Sequence, residues 1–509
     1  MTEAADHILI NAEVHTLTDP DETADGVAIR DGRIIRVDRA YELDFLAGAE
    51  TEVIDLDGGV LLPGFIDAHT HLNMVGRRLV HADLAGANSP ADCISLLAES
   101  ARESGWILGY GYDESEWSES RYLTREDLDA VSTERPVAAF REDLHVASLN
   151  SVAVDQFLDA MPAEDVLAEG GEPTGVVVES ALDVIFEATE PDAAEMRDLL
   201  EAAQRHANAR GVTGVHDMVR KSTAPEVFRD LDLEDELTLR VRLNYWSDHL
   251  DAAIETGLRT NHGSEMVETG AIKSYTDGSF GGRTAKLTEA YADADTTGQW
   301  VVTPDELDTV VGIADRAGFQ ACAHAIGDEA ITAVLDAYEE QSADPAAARH
   351  RVEHAELLTD EHIDRFANLG VVASVQPNFL RWADEGGLYD TRLGEERRRQ
   401  SNRYADLLDA GVPLAFGSDC MPLAPLFGIH HAVNAPDPSQ RLSVTDALRA
   451  YTSGAAYAGF AEDRRGTIEN GKQADLVVLD KSPWEQPEAI EDIDVTMTLV
   501  DGEVVYDGR

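Results

Sequence analysis

The sequence predicts an α/β protein: a (β/α)8 TIM barrel with a small β-sandwich domain built from both termini and a subdomain inserted after the first barrel strand. Three observations predict it: a length of 509 residues, short apolar runs that alternate with helical stretches, and hairpin patterns at both ends. We expect the composite β domain at 1–62 plus 465–509, the barrel at 63–464, and the inserted subdomain at about 73–190.

Both ends of the chain carry hairpin patterns. Apolar and polar residues alternate over 27–37 around Asp31-Gly32, and a similar pattern folds back at 495–506 around Asp501-Gly502. Asp-Gly favours the tight turns that join antiparallel strands. The apolar run at 474–480 predicts a further strand. Because hairpin-rich ends flank a long middle segment, we expect the two termini to form one small β domain together.

The middle of the chain contains eight apolar runs of strand length. They predict barrel strands at 59–66, 211–216, 237–243, 271–275, 320–324, 350–353, 371–375 and 413–417. Helical stretches between them are typical of a parallel sheet. The gap between the first two runs exceeds a hundred residues, which is far too long for one strand-to-helix connection, so it predicts the inserted subdomain.

The chain is strongly acidic, since 40 basic and 98 acidic side chains give a formal net charge of −58. The acids are spread along the chain, so most of the surface would repel phosphate groups, which excludes nucleic-acid binding. Lysine is rare, and arginine supplies most of the positive charge. This composition resembles that of proteins from extreme halophiles, in which salt screens the self-repulsion. The acidity therefore indicates habitat rather than substrate.

Cysteine content and hydropathy indicate the compartment. Cys93, Cys322 and Cys420 show no CxxC spacing, which suits a reducing environment. No apolar run approaches the roughly 18 residues that a membrane span needs. The acidic N-terminus also lacks the basic segment of a signal peptide. We expect a cytoplasmic protein without a membrane partner.

His69 and His71 directly follow an apolar run and are separated by one small residue. Side chains two positions apart in a strand point the same way, as two ligands of one metal must. An HxH pair also arises by chance, so taken alone it fits a structural or surface role equally well. Its place at the C-terminal end of a predicted barrel strand, where such barrels build their active sites, favours a metal site.

Four further candidates occupy corresponding places on later strands: Lys273, His324, His354 and Asp419. Each alone fits a structural role as well: a surface lysine, a core histidine, a helix N-terminal residue and an N-cap residue. Their shared placement favours a functional site, and a chain that otherwise avoids lysine has one at this strand end.

Six segments of the chain form a recognisable series. They are 63–71 (PGFIDAHTH), 273–285 (KSYTDGSFGGRTA), 323–328 (AHAIGD), 351–355 (RVEHA), 417–419 (GSD) and 466–476 (GTIENGKQADL). In this order they resemble the amidohydrolase superfamily, and within it the YtcJ-like branch that includes N-substituted formamide deformylases. The resemblance covers nearly the whole chain.

The resemblance implies a site with two divalent metals. One metal would be bound by His69 and His71 and touched by Asp419, and the other by His324 and His354. Lys273, carboxylated by CO2, would bridge them, which a buried and therefore less basic amine permits. Zinc suits these nitrogen and oxygen ligands, and manganese, iron or nickel would also fit.

The resemblance also implies the catalytic roles. Two metals would bind one water, lower its pKa and polarise the scissile carbonyl. Asp419 would act as the general base on the resulting hydroxide and pass the proton to the departing nitrogen. His324 and His354 would take part as ligands of the reacting centre.

Two candidate substrate contacts lie in the predicted insertion. Arg141 and His145 resemble a family stretch near the substrate entrance and are expected to orient a carbonyl or carboxylate. An exposed ion-pair network in an acidic protein is an equally good interpretation of both residues.

Further candidates lie on loops after the predicted barrel strands. Asp277 and Arg283 follow Lys273 in a glycine-rich loop, where they either shape the pocket or pair with each other. Trp382 is expected to form an apolar wall. His216 ends the second predicted strand and is expected either to support a metal ligand or to contact substrate.

These observations favour hydrolysis of an amide-type C–N bond, other than a peptide bond, in a small molecule. Deamination, decarboxylation and lactone or ester hydrolysis remain alternatives on the same scaffold, because a fold does not define a reaction. A regulatory protein without catalysis is a third alternative, which the complete ligand set argues against. A homodimer is compatible with such a barrel.

Overall fold

The computed structural model describes residues 4–101, 105–114, 117–142 and 146–509. The chain divides into two compact units. The first comprises Met1–His71, Gln204–Lys221 and Phe228–Arg509, and the second comprises Leu72–Ala203 and Ser222–Val227. The barrel and the sheets of both termini belong to the first unit, so the three-part division stays a prediction.

The first unit contains a parallel eight-stranded sheet among its described residues. Barrel strands 1 to 8 are, in chain order, Phe65–Thr70, Val212–Val219, Arg240–Trp246, Val267–Tyr275, Ala321–Ala325, Arg351–His354, Val372–Val375 and Leu414–Phe416. Each strand pairs with the next one along the chain. The backbone N–H of Asp419, just beyond strand 8, donates to the carbonyl of His69 at 2.7 Å, which brings the last strand end to the first. The predicted barrel is confirmed.

The first predicted barrel strand is wrong in its bounds. The apolar run 59–66 is divided: Val60–Pro63 joins a sheet of the terminal segments, and Phe65–Thr70 is barrel strand 1. Gly64 separates them, and a Cβ there would lie 2.3 Å from Thr213. The tight approach at this glycine lets the chain change sheets, which apolar periodicity alone does not reveal.

Two sheets from the terminal segments lie beside the barrel in the first unit. One has four strands in the spatial order Arg33–Asp38, Gly26–Arg30, His7–Ile10 and Glu52–Asp55. The other has six, in the order Glu503–Asp507, Val495–Val500, Leu476–Leu479, Val60–Pro63, Glu13–His15 and Thr23–Ala24. Leu9 and Ile29 of the first sheet share one apolar core with Leu476 and Val478 of the second. Both termini therefore build one core.

The two predicted hairpins form at their Asp-Gly pairs. Asp31 and Gly32 have φ angles of 49° and 70°, and Asp501 and Gly502 have φ angles of 53° and 81°. Positive φ at both central residues matches the twist of the strands that such a turn joins. The Asp-Gly signal therefore placed both turns correctly.

The second unit has its own mixed sheet and core. Its strands are, in spatial order, Val166–Glu169, Glu172–Val178, Val146–Leu149, Val137–Arg141, Ile107–Tyr112 and Ala82–Asp83. Its helices are Leu72–Val80, Pro90–Glu99, Arg125–Asp129, Ser151–Phe157 and Glu179–Ala188. Tyr110 and Phe140 stack with ring centroids 4.8 Å apart inside this core.

Helices connect the barrel strands and follow the last one. Two of them, Ala193–Asn208 and Ala224–Leu233, include residues of both units. The others are Leu250–Glu255, Pro304–Arg316, Asp328–Gln341, Pro345–Ala348, Asp360–Leu369, Leu388–Leu393, Glu395–Arg399, Tyr404–Asp409, Pro425–Val433, Val444–Arg449 and Ala455–Ala458. A further helix, Ala40–Leu43, lies in the N-terminal segment before barrel strand 1. In the described part of the chain, none of the helices has the length and apolar character needed to cross a membrane.

Candidate metal centre

Four histidine rings form a row at the C-terminal ends of the barrel strands. The ring centroids of His71 and His69 lie 5.9 Å apart, and those of His69 and His354 lie 4.9 Å apart. The row continues to His324, whose centroid is 4.5 Å from that of His354. Strands 1, 5 and 6 thus bring the four predicted histidine ligands together.

Asp419 joins this row at its His71 end. One of its carboxylate oxygens, Oδ1, lies 3.4 Å from Nε2 of His71 and 3.7 Å from Nε2 of His69. The ligand atoms of the three residues all lie within 4.8 Å of one another. Asp419 has a left-handed backbone, with φ of 50°. These three residues can share one cation.

Asp67 braces this part of the centre and was missed from the sequence. Its Oδ1 accepts hydrogen bonds from the backbone N–H groups of His69 and Ser418, at 3.1 and 3.0 Å. A Cβ on Gly417 would lie 2.4 Å from the backbone nitrogen of His69. The contact therefore ties strand 8 closely to strand 1. Asp67 lies two positions before His69 in a strand, so the alternation of side chains was a signal for it.

Charges within the cluster shift its pKa values. Burial raises the pKa of Asp419, but the hydrogen bond from His71 and the charges of His69, His71 and Lys273 outweigh it, so the pKa lies below its usual value. Burial lowers the pKa of His71, but the hydrogen bond and charge of Asp419 outweigh it and raise the pKa above 6.5. Asp419 is therefore ionised at neutral pH.

Lys273 is completely buried in barrel strand 4. Its Nζ has no hydrogen-bond partner among the described residues. Burial lowers the pKa of this amine, against the opposing charges of Glu353 and Asp419. A buried charged amine without a hydrogen-bond partner destabilises the fold by several kcal/mol unless it becomes neutral or gains a partner. The lost hydrogen bond alone costs on the order of 1–3 kcal/mol.

His324 and His354 also present unpartnered nitrogens. Their Nδ1 atoms are buried and have no hydrogen-bond partner within the described parts of the chain. Nε2 of His324 lies 3.0 Å from the carbonyl oxygen of Gly278, and its ring stacks on Tyr275 at 4.4 Å. His354 has a φ of 72°, so it leaves the extended strand conformation at its end. Orphaned imidazole nitrogens next to an orphaned amine fit a divalent transition metal.

Glu353 orients His69, and sequence reasoning missed it. Its Oε2 lies 2.6 Å from Nδ1 of His69, while Nε of Arg351 donates to its Oε1 at 2.8 Å. Nη1 of Arg351 in turn donates to Nδ1 of His216 at 2.8 Å. The contact of Glu353 with Nδ1 of His69 leaves the other ring nitrogen, Nε2, free for a metal. Glu353 lies two positions after Arg351 in the RVEHA motif, so both side chains point to the same face of the strand, and the direction of Glu353 was predictable. Of the two roles expected for His216, the contact agrees with support of a ligand.

Of the two candidates in the insertion, Arg141 lies among the described residues. Arg141, in the second unit, pairs with Asp113 at 3.0 Å and with Glu114 at 2.9 Å. These contacts agree with the ion-pair interpretation of Arg141. His145 lies outside the described residues. A substrate role for either residue stays a prediction.

Of the two alternatives for Asp277 and Arg283, pairing with each other is not what the structure shows. Both carboxylate oxygens of Asp277 accept backbone N–H groups, from Ile326 at 3.1 Å and from Gly327 at 2.9 Å. Arg283 instead donates to Asp293 at 2.7 Å. Asp277 is completely buried, and by accepting these backbone amides it orders the loop after His324.

An aromatic wall lies beside His354. The ring of Phe379 is parallel to that of His354, with 4° between the planes and centroids 6.1 Å apart. Trp382 continues the wall, at 5.0 Å from Phe379. Trp382 therefore lies in an aromatic surface, which agrees with its predicted apolar role, and Phe379 is the ring nearer to His354.

Comparison with known proteins agrees with this geometry. The sequence pattern of the amidohydrolase family matches residues 52–506. The chain is 31% identical to the putative amidohydrolase YtcJ of Bacillus subtilis (strain 168), over 97% of this chain and 98% of that protein. It is 28% identical to the N-substituted formamide deformylase of Arthrobacter pascens, over 100% of this chain and 99% of that protein.

A solved structure extends the similarity to three dimensions. The crystal structure of an uncharacterized metal-dependent hydrolase from Pyrococcus furiosus superposes with a TM-score of 0.82 at 32% sequence identity. The alignment covers 94% of this chain and 99% of that one. The resemblance inferred from the motifs is thus confirmed. Since the family pattern spans most of its length, this chain is an enzyme of the amidohydrolase family, in its YtcJ-like branch.

Proposed function

We propose that the protein hydrolyses an amide-type C–N bond, other than a peptide bond, in a small molecule, with N-substituted formamides as the first substrate class to test. The row of four histidines next to Asp419 carries this proposal, because it gathers metal-binding nitrogens and a proton acceptor at one place. The full-length similarity to a formamide deformylase supports the substrate class.

The donor set suits two divalent cations, with zinc the first choice. His69, His71 and Asp419 would bind one of them. His324 and His354 would bind the other. When bound, such cations supply polarisation of the scissile carbonyl and a lower pKa for a water molecule.

Lys273 would bridge the two cations as a carbamate. Its neutral amine would attack CO2: a new N–C bond would form as one C=O π bond opens to C–O⁻, and the nitrogen would lose one proton to water, so that the side chain would become an anion. The burial that lowers the pKa of Lys273 supports this step, because it increases the neutral fraction of the amine. The lack of a partner for Nζ in the described part of the chain supports it as well.

Asp419 would move the proton. Its lowered pKa keeps the carboxylate ionised at neutral pH, so it is able to accept a proton from the attacking water. It then donates the same proton to the departing nitrogen, which leaves as a neutral amine while the acyl carbon gains the oxygen. The contact of Glu353 with His69 keeps the imidazole oriented during this transfer.

The aromatic wall formed by Phe379 and Trp382 would influence which substrates bind. Phe379 lies parallel to the ligand His354, and Trp382 continues the surface away from it. Rings placed beside a reacting centre favour an apolar or aromatic group on the substrate nitrogen.

The test uses protein purified in high salt without chelators. Turnover is measured on N-substituted formamides, N-acyl amines, lactones and aminated heterocycles, together with metal content. We expect hydrolysis of formamides and a loss of about 10²–10⁴-fold in kcat for Asp419→Asn with the metal retained. Asp409→Asn, an exposed helix residue, is the matched control.

Three outcomes would overturn the proposal. Metal-free protein under these conditions would remove its chemical basis. Full turnover in Asp419→Asn would assign the proton transfer elsewhere. Ammonia release from an aminated heterocycle, without turnover of any amide, would favour deamination.

A further inference from the structure

Tyr275 ends barrel strand 4 and extends the histidine row by one ring. It pairs in register with His324 of strand 5, and the two rings stack with centroids 4.4 Å apart and 15° between their planes. Tyr275 lies two positions after Lys273, so both side chains point to the same face of the strand. Nζ of Lys273 lies 5.2 Å from the centroid of the Tyr275 ring. The tyrosine therefore lies directly against two of the candidate metal-binding side chains.

The hydroxyl of Tyr275 is left unused by the protein. It makes no hydrogen bond to any described residue, and it keeps accessible surface. Every buried tyrosine in the described part of the chain has a hydroxyl partner, as Tyr338 and Tyr404 have in carbonyl oxygens at 2.6 and 3.1 Å. The side chain of Tyr275 is only partly buried, so its free hydroxyl is open to a molecule that enters the site.

Packing from both neighbouring strands fixes the direction of this hydroxyl. His324, on strand 5, covers one face of the Tyr275 ring. Trp246, at the end of strand 3, lies on the other side, with its ring centroid 4.9 Å away and 30° between the planes. The guanidinium of Arg220 lies over the Trp246 ring at 5.4 Å. A donor held in this way needs no rearrangement when charge develops beside it.

The charges that act on Tyr275 place its phenol close to Asp419. Burial and the charge of Asp419 raise the pKa of Tyr275, and the charge of Arg220 opposes the shift. A phenol is protonated at neutral pH even without such a shift, so it is able to donate a hydrogen bond. Tyr275 is therefore a neutral donor near the carboxylate that would move the proton.

The hydrolysis of an amide needs a donor of this kind. When the oxygen of water attacks the acyl carbon, a new C–O bond forms and the π electrons of the carbonyl move to its oxygen. A fixed donor beside this oxygen stabilises the negative charge of the transition state. Asp419 would not fill this role, because its proton goes to the departing nitrogen.

Given the proposed amide hydrolysis, on which this assignment rests, we propose that the hydroxyl of Tyr275 donates a hydrogen bond to the carbonyl oxygen of the substrate. The hydrogen bond strengthens as that oxygen gains negative charge, and it weakens again when the C–N bond breaks and the C=O bond re-forms. Tyr275 keeps its proton throughout, so the proton balance of the reaction is unchanged. Its stacking on His324 holds the donor beside the metal-binding row.

The first experiment compares the wild type with Tyr275→Phe and Tyr245→Phe, all purified in high salt without chelators. Phenylalanine keeps the ring that stacks between His324 and Trp246 and removes only the hydroxyl. For Tyr275→Phe we expect kcat to fall about 10²–10³-fold, with KM, metal content and melting temperature nearly unchanged. Tyr245→Phe, on the neighbouring strand, loses a hydroxyl that already pairs with Arg229 at 2.7 Å and should keep full turnover.

Two kinetic outcomes would overturn the assignment. An unchanged kcat in Tyr275→Phe would mean that the hydroxyl does not act on the reaction. A loss of turnover that follows a loss of bound metal would mean that Tyr275 only supports the ligand His324.

The second experiment does not depend on turnover. N-benzyl methylphosphonamidate carries charged oxygen on a tetrahedral phosphorus, so it imitates the attacked carbonyl. Isothermal titration of the metal-loaded proteins should show about 10–100-fold weaker binding to Tyr275→Phe than to the wild type, as for the loss of a hydrogen bond to a charged group. Benzylamine, which has no such oxygen, should bind both proteins equally. Equal affinities for the phosphonamidate would count against a contact of Tyr275 with the carbonyl oxygen.

The assignment of Tyr275 and the proposed hydrolysis can fail separately. If the wild type hydrolyses no amide but binds the phosphonamidate more tightly than Tyr275→Phe does, amide hydrolysis fails and the contact of Tyr275 with a tetrahedral oxyanion stands. If the wild type hydrolyses amides and Tyr275→Phe matches its kcat, the hydrolysis stands and the assignment of Tyr275 fails. A wild type that neither hydrolyses amides nor binds the phosphonamidate would overturn both.

Discussion

The two halves of the candidate metal centre satisfy their polar atoms in different ways. In the histidine–aspartate half, formed by His69, His71 and Asp419, the carboxylate lies within 3.7 Å of both imidazoles. In the lysine–histidine half, formed by Lys273, His324 and His354, Nζ and two Nδ1 atoms lack a hydrogen-bond partner in the described part of the chain.

This difference indicates that the lysine–histidine half depends more on a bound cation or carbamate than the histidine–aspartate half does. An ion pair between a carboxylate and an imidazolium stabilises the first half by itself. Buried nitrogens without acceptors destabilise the second half until a cation or a carbamate completes it. We therefore expect the two halves to respond differently to mutation and to pH.

The largest expected effect comes from Lys273→Met. Loss of the amine removes the carbamate that would bridge the two cations, so the lysine–histidine half should lose affinity for its metal by more than about 100-fold, beyond the range for an outer contact. Metal content per chain and metal titration measure this. Cys322→Ala, at the register partner of Lys273 in the neighbouring strand, is the control and should bind metal normally. Unchanged metal content in Lys273→Met would break the comparison.

Glu353→Gln should have a smaller effect, mainly on the histidine–aspartate half. The neutral glutamine amide interacts with Nδ1 of His69 less strongly than the glutamate carboxylate does, so metal affinity should fall about 10–100-fold. Isothermal titration of the metal-free protein measures this loss. Glu361→Gln, on the exposed side of a helix, is the control. If Glu353→Gln weakens metal binding only in the lysine–histidine half, the contact between Glu353 and His69 does not support the metal ligand.

The smallest effect is the pH dependence of the metal-free protein, which has opposite signs in the two halves. Burial lowers the pKa of His71, but Asp419 raises it above 6.5. His71 therefore stabilises the fold fully below pH 6.5, and this contribution is lost as pH rises through the raised value. Burial, with the charges of His324 and His69, lowers the pKa of His354 well below 6.5, so His354 favours unfolding as pH falls.

Histidine NMR titration and the unfolding of His71→Asn and His354→Asn at several pH values check these signs. We expect His71→Asn to lose stability mainly at acidic pH, and His354→Asn to be less sensitive to acid than the wild type. Titration of both histidines at the same pH would remove the distinction between the halves.

Much of the centre was predictable because ligands sit at strand ends. The periodicity of the apolar runs placed barrel strands 2 to 8, and the motifs named six residues that the structure places around one centre. The structure corrected strand 1, because Gly64 moves the chain from one sheet to another. It also gave Arg283 a partner, Asp293, that spacing along the loop did not suggest.

By itself the sequence determined the barrel, the Asp-Gly hairpins, the family and the candidate ligands, because local periodicity, turn chemistry and motif order are written along the chain. Only the tertiary structure decided which buried atoms meet. Glu353 reaches His69 across 284 positions of sequence. Arg242 and the adjacent pair Arg464 and Arg465 converge on Glu268 from distant parts of the chain. Contacts of this kind depend on how distant strands close together, and no local pattern encodes that closure.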